Sequence, residues 1–329
     1  MKQLAIIGGG SWGTALAIVL APRCARVRLW VKEQDLAARM QSSRVNDVFL
    51  PGFPLPANVA VSARLEDVLP ATDVVLGVMP SKYARRVYTA MLPLLDSGVC
   101  FVSATKGLEQ GTLLRISEVV GEVVNPRFTP RVAAMSGPTF AREVAAGTPT
   151  ALVIASEDAA LARSIQHDFS GPSFRLYTNA DPIGVEVAAA LKNVIAIAAG
   201  ICHGLNLGHN PIAALITRGL AELRRLACAM GGNAHTLAGL GDLVLTCTGE
   251  LSRNRHVGIE LAKGRSLADI VGSMTMVAEG VDTTAAAVEL AARHGVDLPI
   301  TFQMDRILRG ERSPREAIRE LMERTLKDE

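Results

Sequence analysis

A run of glycines near the start of the chain is the feature that most restricts its fold. Gly8, Gly10 and Gly13 form a G-x-G-x-x-G pattern between an apolar run at 4–7 and a helix-forming run at 14–20. A strand, a glycine turn and a helix in this order predict a pyrophosphate-binding turn. We expect Gly8 to allow the turn, Gly10 to admit the pyrophosphate and Gly13 to let the helix pack closely, with free N–H groups facing the anion.

The rest of the first half repeats this rhythm of short β-branched runs and helical patterns. Further strands are predicted at 27–31, 73–78, 99–104, 131–135, 150–155 and 174–177. This alternation predicts an α/β fold with an N-terminal Rossmann-type doubly wound parallel sheet, covered by helices on both faces. Residues 49–56 contain three prolines, and we expect an ordered surface loop there instead of a helix or central strand.

The second half of the chain carries a different pattern. Helix-periodic segments at 182–203, 211–230, 252–263, 281–294 and 313–326 replace the strand signals from about residue 181. We therefore expect two domains: residues 1–180 form the dinucleotide-binding domain, and residues 181–329 form an all-helical substrate-binding and catalytic domain. No Gly/Ser-rich linker separates them, so they should pack directly with a cleft between them.

The charge balance excludes several classes of partner. The chain has 34 Lys and Arg against 32 Asp and Glu, a net charge of +2, which creates no basic field for nucleic acid. Residues 185–201 approach membrane length, but Glu186 and Lys192 lie among them, so a buried helix is expected instead of membrane insertion. The partner should be a small molecule.

The cysteines and the N-terminal residues bear on where in the cell the protein is expected. Five widely spaced cysteines contain no C-x-x-C pair, and neither they nor the six histidines show metal-ligand spacing, so we expect no metal site. The first residues lead directly into the glycine turn and leave no room for an export signal. A cytoplasmic protein with reduced cysteines is expected.

The end of the second predicted strand bears on the choice of dinucleotide. Lys32 favours the 2′-phosphate of NADP(H), whereas Glu33 could accept a hydrogen bond from the ribose 2′-hydroxyl of NAD(H). The sequence favours NADP(H) and leaves NAD(H) open.

Two lysines are candidates for the chemistry. Lys106 directly follows a predicted strand, at the edge of the sheet where ligands bind. Lys192 interrupts an otherwise apolar helix, and an apolar setting lowers the pKa of an ammonium group from its reference value near ~10.4. Such a group can stabilise the negative oxygen that hydride transfer to a carbonyl creates, and can then donate a proton. Asp242 could pair with Lys192 and adjust its pKa.

A second anion site is predicted in the helical half. Ser252 can cap the helix that follows it, and Arg253 and Arg255 place two guanidinium groups beside the free N–H groups of its first turn. One guanidinium group can bind two phosphate oxygens at the same time. The substrate is therefore expected to carry a phosphate.

These motifs together resemble the bacterial NAD(P)-dependent sn-glycerol-3-phosphate dehydrogenases. The similar segments occur in order along almost the whole chain: GGGSWGTAL at 8–16, ATKGLE at 104–109, SGPTFA at 136–141, LKNVIA at 191–196, TRGL at 217–220, GLGDLVLTCTGELSRNR at 239–255 and AEGV at 278–281. The resemblance implies reversible reduction of dihydroxyacetone phosphate to sn-glycerol 3-phosphate for phospholipid synthesis, and a homodimer.

The resemblance also implies roles for individual residues. Lys192 would be the proton donor and acceptor, with Asp242 beside it. The implied substrate contacts are Lys106, Gly137, Thr139, Ser252, Arg253 and Asn254, and Asn193 and Thr246 would lie near the reacting carbonyl. The implied cofactor contacts are Ser11, Trp12, Lys106, Ala141, Arg253, Val277 and Glu279. Lys32 stands where many relatives carry histidine or arginine.

Two alternative functions remain open at this point. One is another two-domain reductase, of the hydroxyacid or ketopantoate type, although a phosphate site does not suit its carboxylate substrates. The other is a non-catalytic dinucleotide-sensing protein, for which a buried proton donor such as Lys192 would have no use.

Overall fold

The structure is a computed structural model and describes residues 2–325 of the 329-residue chain. All seven predicted strands are present, together with three that the sequence did not indicate. The strands are β1 (Gln3–Ile7), β2 (Arg26–Trp30), β3 (Val45–Asn46), β4 (Leu50–Pro54), β5 (Val59–Ser62), β6 (Val74–Gly77), β7 (Cys100–Ser103), β8 (Arg131–Ser136), β9 (Thr150–Ala155) and β10 (Phe174–Asn179).

Eight strands form one sheet in the order β10-β9-β8-β7-β6-β1-β2-β5. The predicted doubly wound sheet is confirmed, and all of its neighbouring strands are parallel except β8 and β9, which are antiparallel. The connection between them contains only the short helix at Ala141–Ala145, which packs against the helix after the glycine turn. Because this connection contains no helix that crosses the face of the sheet, the chain enters β9 at the same end of the sheet at which it leaves β8.

The helices extend through both halves of the chain. They are α1 (Ser11–Leu20), α2 (Gln34–Ser43), α3 (Leu65–Val68), α4 (Ala84–Met91), α5 (Ile116–Val124), α6 (Ala141–Ala145), α7 (Ala159–Phe169), α8 (Pro182–Gly204), α9 (His209–Ala229), α10 (Leu240–Thr248), α11 (Arg253–Ala262), α12 (Leu267–Gly272), α13 (Glu279–Arg293), α14 (Pro299–Leu308) and α15 (Pro314–Met322). The sequence did not indicate α10, α12 or α14 as separate helices. Residue 326, where the last predicted helix ends, lies outside the described residues.

The sheet is covered on both faces, as the doubly wound prediction requires. Successive residues of β1 point to opposite sides: Leu4 and Ile6 pack with α1 and α7 in one apolar cluster, whereas Ala5 and Ile7 pack with α4 and α5 in another. This strand is buried from both sides, which explains why its sequence is continuously apolar.

Residues 49–56 do not form the expected loop. Leu50–Pro54 is strand β4, and it pairs with β3 in an antiparallel two-stranded sheet apart from the main one. A two-stranded sheet leaves the outer edge of each strand unpaired, which tolerates the missing N–H groups of Pro51 and Pro54. The prolines excluded a central strand but not this hairpin.

Asn46 fastens the hairpin to the glycine turn. Its fully buried Nδ2 donates to the Gly9 carbonyl and to Thr14 Oγ1, both at 2.8 Å, and its Oδ1 accepts from Phe49 N at 3.0 Å. Every polar atom of this amide is therefore engaged. The hairpin and the glycine turn form one unit.

The helical C-terminal domain is organised around α8. Every residue of α8 from 184 to 202 is buried, and α9, α10, α11 and α13 pack around it. Among the described helices α8 alone has the length and hydropathy to span a membrane, but its apolar window is entirely buried within the protein, as the sequence predicted. A buried pair between Arg115 and Glu186, with 2.8 Å between Nη1 and Oε2, joins α8 to the first half of the chain.

The structure predicts opposite effects for alanine at two glycines of the turn. A Cβ at Gly13 would lie 1.8 Å from the Gly8 carbonyl oxygen, whereas a Cβ at Gly10 would meet no atom within 4 Å. Gly13→Ala should lower the free energy of unfolding by about 1–3 kcal/mol, the usual range when a side chain is forced into a packed site. Gly10→Ala should leave the melting temperature nearly unchanged but weaken dinucleotide binding. Thermal melts and cofactor titrations test both, and equal melting temperatures for the two variants would contradict the packing argument.

Candidate active site

A cavity of about 880 Å³ lies between the sheet and the helical domain. Its walls come from the glycine turn, the hairpin, the carboxyl ends of β6 and β7, and the helices α8, α11 and α13. Ligands of open α/β sheets bind beyond the carboxyl ends of the strands, and this cavity occupies that position.

The glycine turn leaves donors available at one end of the cavity. Gly8 has φ +128°, a conformation that other residues rarely adopt, and α1 begins without a side-chain cap. The first N–H groups of α1 are thus free for an anion, and no side chain at Gly10 obstructs them. Trp12 Nε1 is buried without a hydrogen-bond partner in the described structure. These unused donors fit a dinucleotide.

Lys192 is buried in the middle of α8, where the sequence placed it. Its Nζ contacts Asp242 Oδ1 and donates to Thr246 Oγ1 at 3.0 Å. Thr246 donates in turn to the Asp242 carbonyl at 2.5 Å. An ammonium group has three N–H donors, so one remains for the cavity that Lys192 lines.

Lys106 reaches the same carboxylate from the other domain. Its Nζ lies 3.0 Å from Asp242 Oδ2, and it also donates to Thr139 Oγ1 at 3.2 Å and more weakly to the Gly137 carbonyl at 3.4 Å. Asp242 is 1% exposed and holds one lysine on each oxygen. The carboxylate therefore links the two domains at the bottom of the cavity.

Burial has the largest effect on the pKa of Lys192. It lowers the pKa of Lys192 to about 7, although Asp242 opposes this shift; the charge of Lys106 lowers the pKa further. A group with this pKa exists in both protonation states near neutral pH. It can act as a proton donor in one reaction direction and as an acceptor in the other.

Two asparagines connect α8, α11 and α13. Asn254 Oδ1 accepts from Gly280 N at 2.9 Å, and its Nδ2 donates to Asn193 Oδ1 at 3.0 Å. These partners fix the orientation of both amides. Asn193 Nδ2 has only a long contact of 3.4 Å to the Ala189 carbonyl, so it retains donor capacity next to Lys192.

The residues of the predicted phosphate site lie together at the start of α11, except for Arg255. Ser252 caps the helix by accepting from Arg255 N at 3.2 Å, and Arg253 lines the cavity while Nη1 donates to the Val277 carbonyl at 2.7 Å. Arg255 does not line the cavity, because its turn of α11 packs on α8, where a Cβ at Gly200 would lie 2.0 Å from the Arg255 carbonyl. The site has one guanidinium group instead of two.

Glu279 is the first residue of α13 and also lines the cavity. Its Oε2 is buried and has no hydrogen-bond partner among the described residues, and burial raises its pKa to about 7 against the opposing charges of Arg253 and Lys106. A buried acceptor without a donor fits a ligand that supplies an N–H or O–H group.

Most of the predicted site residues share this cavity. Those that line it are Gly8, Gly10, Ser11, Trp12, Lys32, Lys106, Thr139, Ala141, Lys192, Asn193, Thr246, Ser252, Arg253, Asn254, Val277 and Glu279. Gly13, Gly137 and Asp242 lie behind this surface: Gly13 packs against Gly8, whereas Gly137 and Asp242 hold Lys106. No group of three or more potential metal ligands occurs within residues 2–325.

Several lining residues were missed in the sequence. Phe49 and Phe53 come from the hairpin, and no local pattern links a hairpin to the glycine turn. Arg86 lies shortly after strand β6, so the same strand-end rule that selected Lys106 could have found it; Tyr83 follows the same strand, and the sequence indicated no definite role for it.

The fold and this cavity define a two-domain NAD(P)-dependent dehydrogenase with a helical C-terminal domain. Comparison with known proteins specifies the family. The family model described as NAD-dependent glycerol-3-phosphate dehydrogenase N-terminus matches residues 3–162, and the model for the C-terminus matches residues 181–319. The chain belongs to this family of glycerol-3-phosphate dehydrogenases.

Individual relatives agree with this assignment. A glycerol-3-phosphate dehydrogenase (NAD(P)+) from Koribacter versatilis is 60% identical over 98% of both chains. One from Geobacter metallireducens is 51% identical over 100% of this chain and 99% of its own. The crystal structure of the Coxiella burnetii enzyme has a TM-score of 0.94 at 41% identity and covers 98% of this chain and 99% of that chain. The resemblance to glycerol-3-phosphate dehydrogenases that the sequence motifs indicated is therefore confirmed.

Replacing Asp242 should destabilise the fold measurably. Asp242→Asn leaves two lysines at a buried position without their carboxylate and should lower the free energy of unfolding by about 3 kcal/mol, the lower end for breaking a buried ion pair, because Lys192 can lose its proton. The matched control is Asp282→Asn, which breaks the half-exposed pair between Lys82 and Asp282 and should cost under about 1 kcal/mol. Denaturant unfolding of both variants measures the difference; equal losses would contradict a buried pair.

Proposed function

We propose that the protein interconverts dihydroxyacetone phosphate and sn-glycerol 3-phosphate, with NAD(P)H as the hydride donor. This proposal depends mainly on one observation. Lys192 and Arg253 line the same cavity as the glycine turn and the free N–H groups at the start of α1. A proton donor and a phosphate-binding guanidinium beside a dinucleotide turn fit a small ketone phosphate. Residues 1–180 would bind the dinucleotide, and residues 181–329 would supply the substrate site and the proton.

The dinucleotide end of the cavity uses mainly backbone groups. The N–H groups of Ser11 and its neighbours would hold the pyrophosphate, with Gly13 allowing the close packing that brings them forward. Ala141, Val277 and Glu279 line the cavity between this turn and the lysine pair. Nicotinamide, when bound, supplies the hydride and receives it back in the reverse direction.

The substrate end has a cation for each developing or fixed negative charge. Arg253 and the N–H groups that open α11 would hold the phosphate, with Asn254 beside them. Lys192 would donate a proton to the carbonyl oxygen as this oxygen becomes negative, and would remove the proton in the oxidation direction. Asp242 and Thr246 hold the Lys192 ammonium in place, and Asn193 retains a donor for the same oxygen.

Lys106 has a supporting position in this mechanism. Its donors are shared among Asp242, Thr139 and Gly137. The weak bond to the Gly137 carbonyl is the one that a substrate oxygen would replace. The proposal includes a cytoplasmic location, which the five free cysteines support, and a homodimer, which rests on the family resemblance.

The defining experiment follows NAD(P)H absorbance after addition of dihydroxyacetone phosphate. We expect oxidation by the unaltered protein and a loss of about 10³-fold in kcat for Lys192→Ala, within the range for removal of a general acid. No oxidation by the unaltered protein would refute the proposed function. Full activity of Lys192→Ala would refute the proton-transfer role and leave the substrate assignment standing.

The pH dependence of the same assay should report Lys192. Because its pKa is about 7, ketone reduction should slow as the pH rises through about 7, where the ammonium donor is lost. The reverse oxidation should accelerate over the same range, because the free amine is then the proton acceptor. Glu279 also titrates near 7, so the profile is repeated with Glu279→Gln. Loss of the transition in that variant would assign it to Glu279 instead.

The phosphate site is tested with two neighbouring arginines. Arg253→Ala should raise KM for dihydroxyacetone phosphate about 10- to 100-fold, since a hydrogen bond to a charged group contributes roughly 1.5–3 kcal/mol. Arg255→Ala removes an equal charge on the same helix but away from the cavity and should leave KM within about twofold. Similar KM increases for both variants would show that only the general charge of the helix matters.

A further inference from the structure

Three cations surround the ring of Tyr83 at the end of the cavity away from Lys192. Lys32 Nζ and Lys82 Nζ each lie 5.6 Å from the ring centroid, and Arg86 Cζ lies 5.5 Å from it. Like charges gathered around one ring repel one another. These side chains are exposed, so water screens part of the repulsion, and a bound anion would reduce it further.

Only one of the three cations is compensated within the described structure. Lys82 Nζ lies 3.1 Å from Asp282 Oδ2, and Lys82 does not line the cavity. Lys32 and Arg86 do line the cavity, and within residues 2–325 neither takes part in an ion pair or a hydrogen bond. Two uncompensated cations therefore face the ligand space.

The sheet order brings these two residues together from separate parts of the chain. β1 lies between β2 and β6. Lys32 follows the end of β2, and Arg86 lies in the first turn of α4, shortly after β6. They therefore flank the glycine turn that follows β1 from either side. In a dinucleotide-binding sheet the ribose of the adenosine half lies at the end of the second strand.

We propose that Lys32 and Arg86 together bind the 2′-phosphate of NADP(H), and that Arg86 is a specificity-determining residue for the dinucleotide. This inference rests on the proposed function, because it needs a dinucleotide in the cavity. A guanidinium can bind two phosphate oxygens at once, and Lys32 adds a point charge from the other side. The ring of Tyr83 attracts both cations and keeps them near each other.

Glu33 would allow the same site to accept NAD(H) as well. It also lines the cavity and follows Lys32 directly. Its carboxylate can accept a hydrogen bond from the free 2′-hydroxyl of NAD(H) and repels a 2′-phosphate. The cations therefore determine NADP(H) binding, whereas NAD(H) binding is independent of them.

The test measures binding of NADPH and NADH separately, by fluorescence titration without substrate, and then kcat/KM for each. Arg86→Ala should weaken NADPH binding about 10- to 100-fold and change NADH binding by less than about twofold. Arg86→Lys should recover part of the loss, because it keeps the charge but not the paired donors. The variant Lys32→Ala combined with Arg86→Ala should reverse the preference towards NADH.

Lys82→Ala is the matched control. It removes a cation at the same distance from the same ring, but one that is paired with Asp282 and outside the cavity. We expect its ratio of NADPH to NADH affinity to stay unchanged. Equal losses of both dinucleotides in Arg86→Ala, or no loss of either, would overturn the proposal, and so would an effect of Lys82→Ala as large as that of Arg86→Ala.

The titration separates this proposal from the substrate assignment. If dihydroxyacetone phosphate is not reduced but Arg86→Ala selectively weakens NADPH binding, the 2′-phosphate site stands and the proposed reaction fails. If reduction proceeds with both dinucleotides and Arg86→Ala leaves their ratio unchanged, the reaction stands and the 2′-phosphate site fails.

Discussion

The shared carboxylate of Asp242 is the contact on which the site depends. Lys192 from the helical domain and Lys106 from the sheet domain each hold one of its oxygens in a nearly dry environment. Removing a charge from water is costly, and only the surrounding opposite charges offset this cost. Any relative movement of the domains that separates Lys106 from Asp242 therefore changes the electrostatic environment of Lys192, the proposed proton donor. Domain arrangement and proton affinity are coupled through one side chain.

The cavity treats its anions in different ways. The start of α1 offers uncharged backbone donors, the site proposed for the pyrophosphate, whereas the site proposed for the substrate phosphate has the guanidinium of Arg253. Backbone donors bind without introducing a fixed charge next to the reacting carbon, and a guanidinium adds strength where the ligand is small. Asn46 stiffens the first of these sites by tying the hairpin to Gly9. The hairpin therefore supports the conformation of the glycine turn without any ligand contact.

The parts of the fold that follow from local patterns could be predicted from the sequence. Seven strands of the main sheet, α8 with Lys192, and the cap at Ser252 all follow from periodicity or from neighbouring residues, whereas β3, β4 and β5 do not. Three classes of feature could not be predicted in this way. The antiparallel turn into β9 depends on where α6 packs, the hairpin depends on Asn46 reaching the glycine turn, and Arg255 faces away from the cavity because of Gly200 on another helix. Each is a tertiary contact between distant residues.

The complete burial of α8 has a consequence for how the chain is synthesised. This 23-residue apolar helix precedes α9, α10, α11 and α13, which cover it in the folded protein. During translation, α8 leaves the ribosome before its covering helices exist, and transiently exposed apolar segments of this kind aggregate readily. Lys192 is then an ordinary solvated lysine that interrupts the apolar surface. The lysine proposed as the proton donor is therefore also the one charged residue that interrupts the apolar stretch from Val187 to Ile201 before its covering helices form.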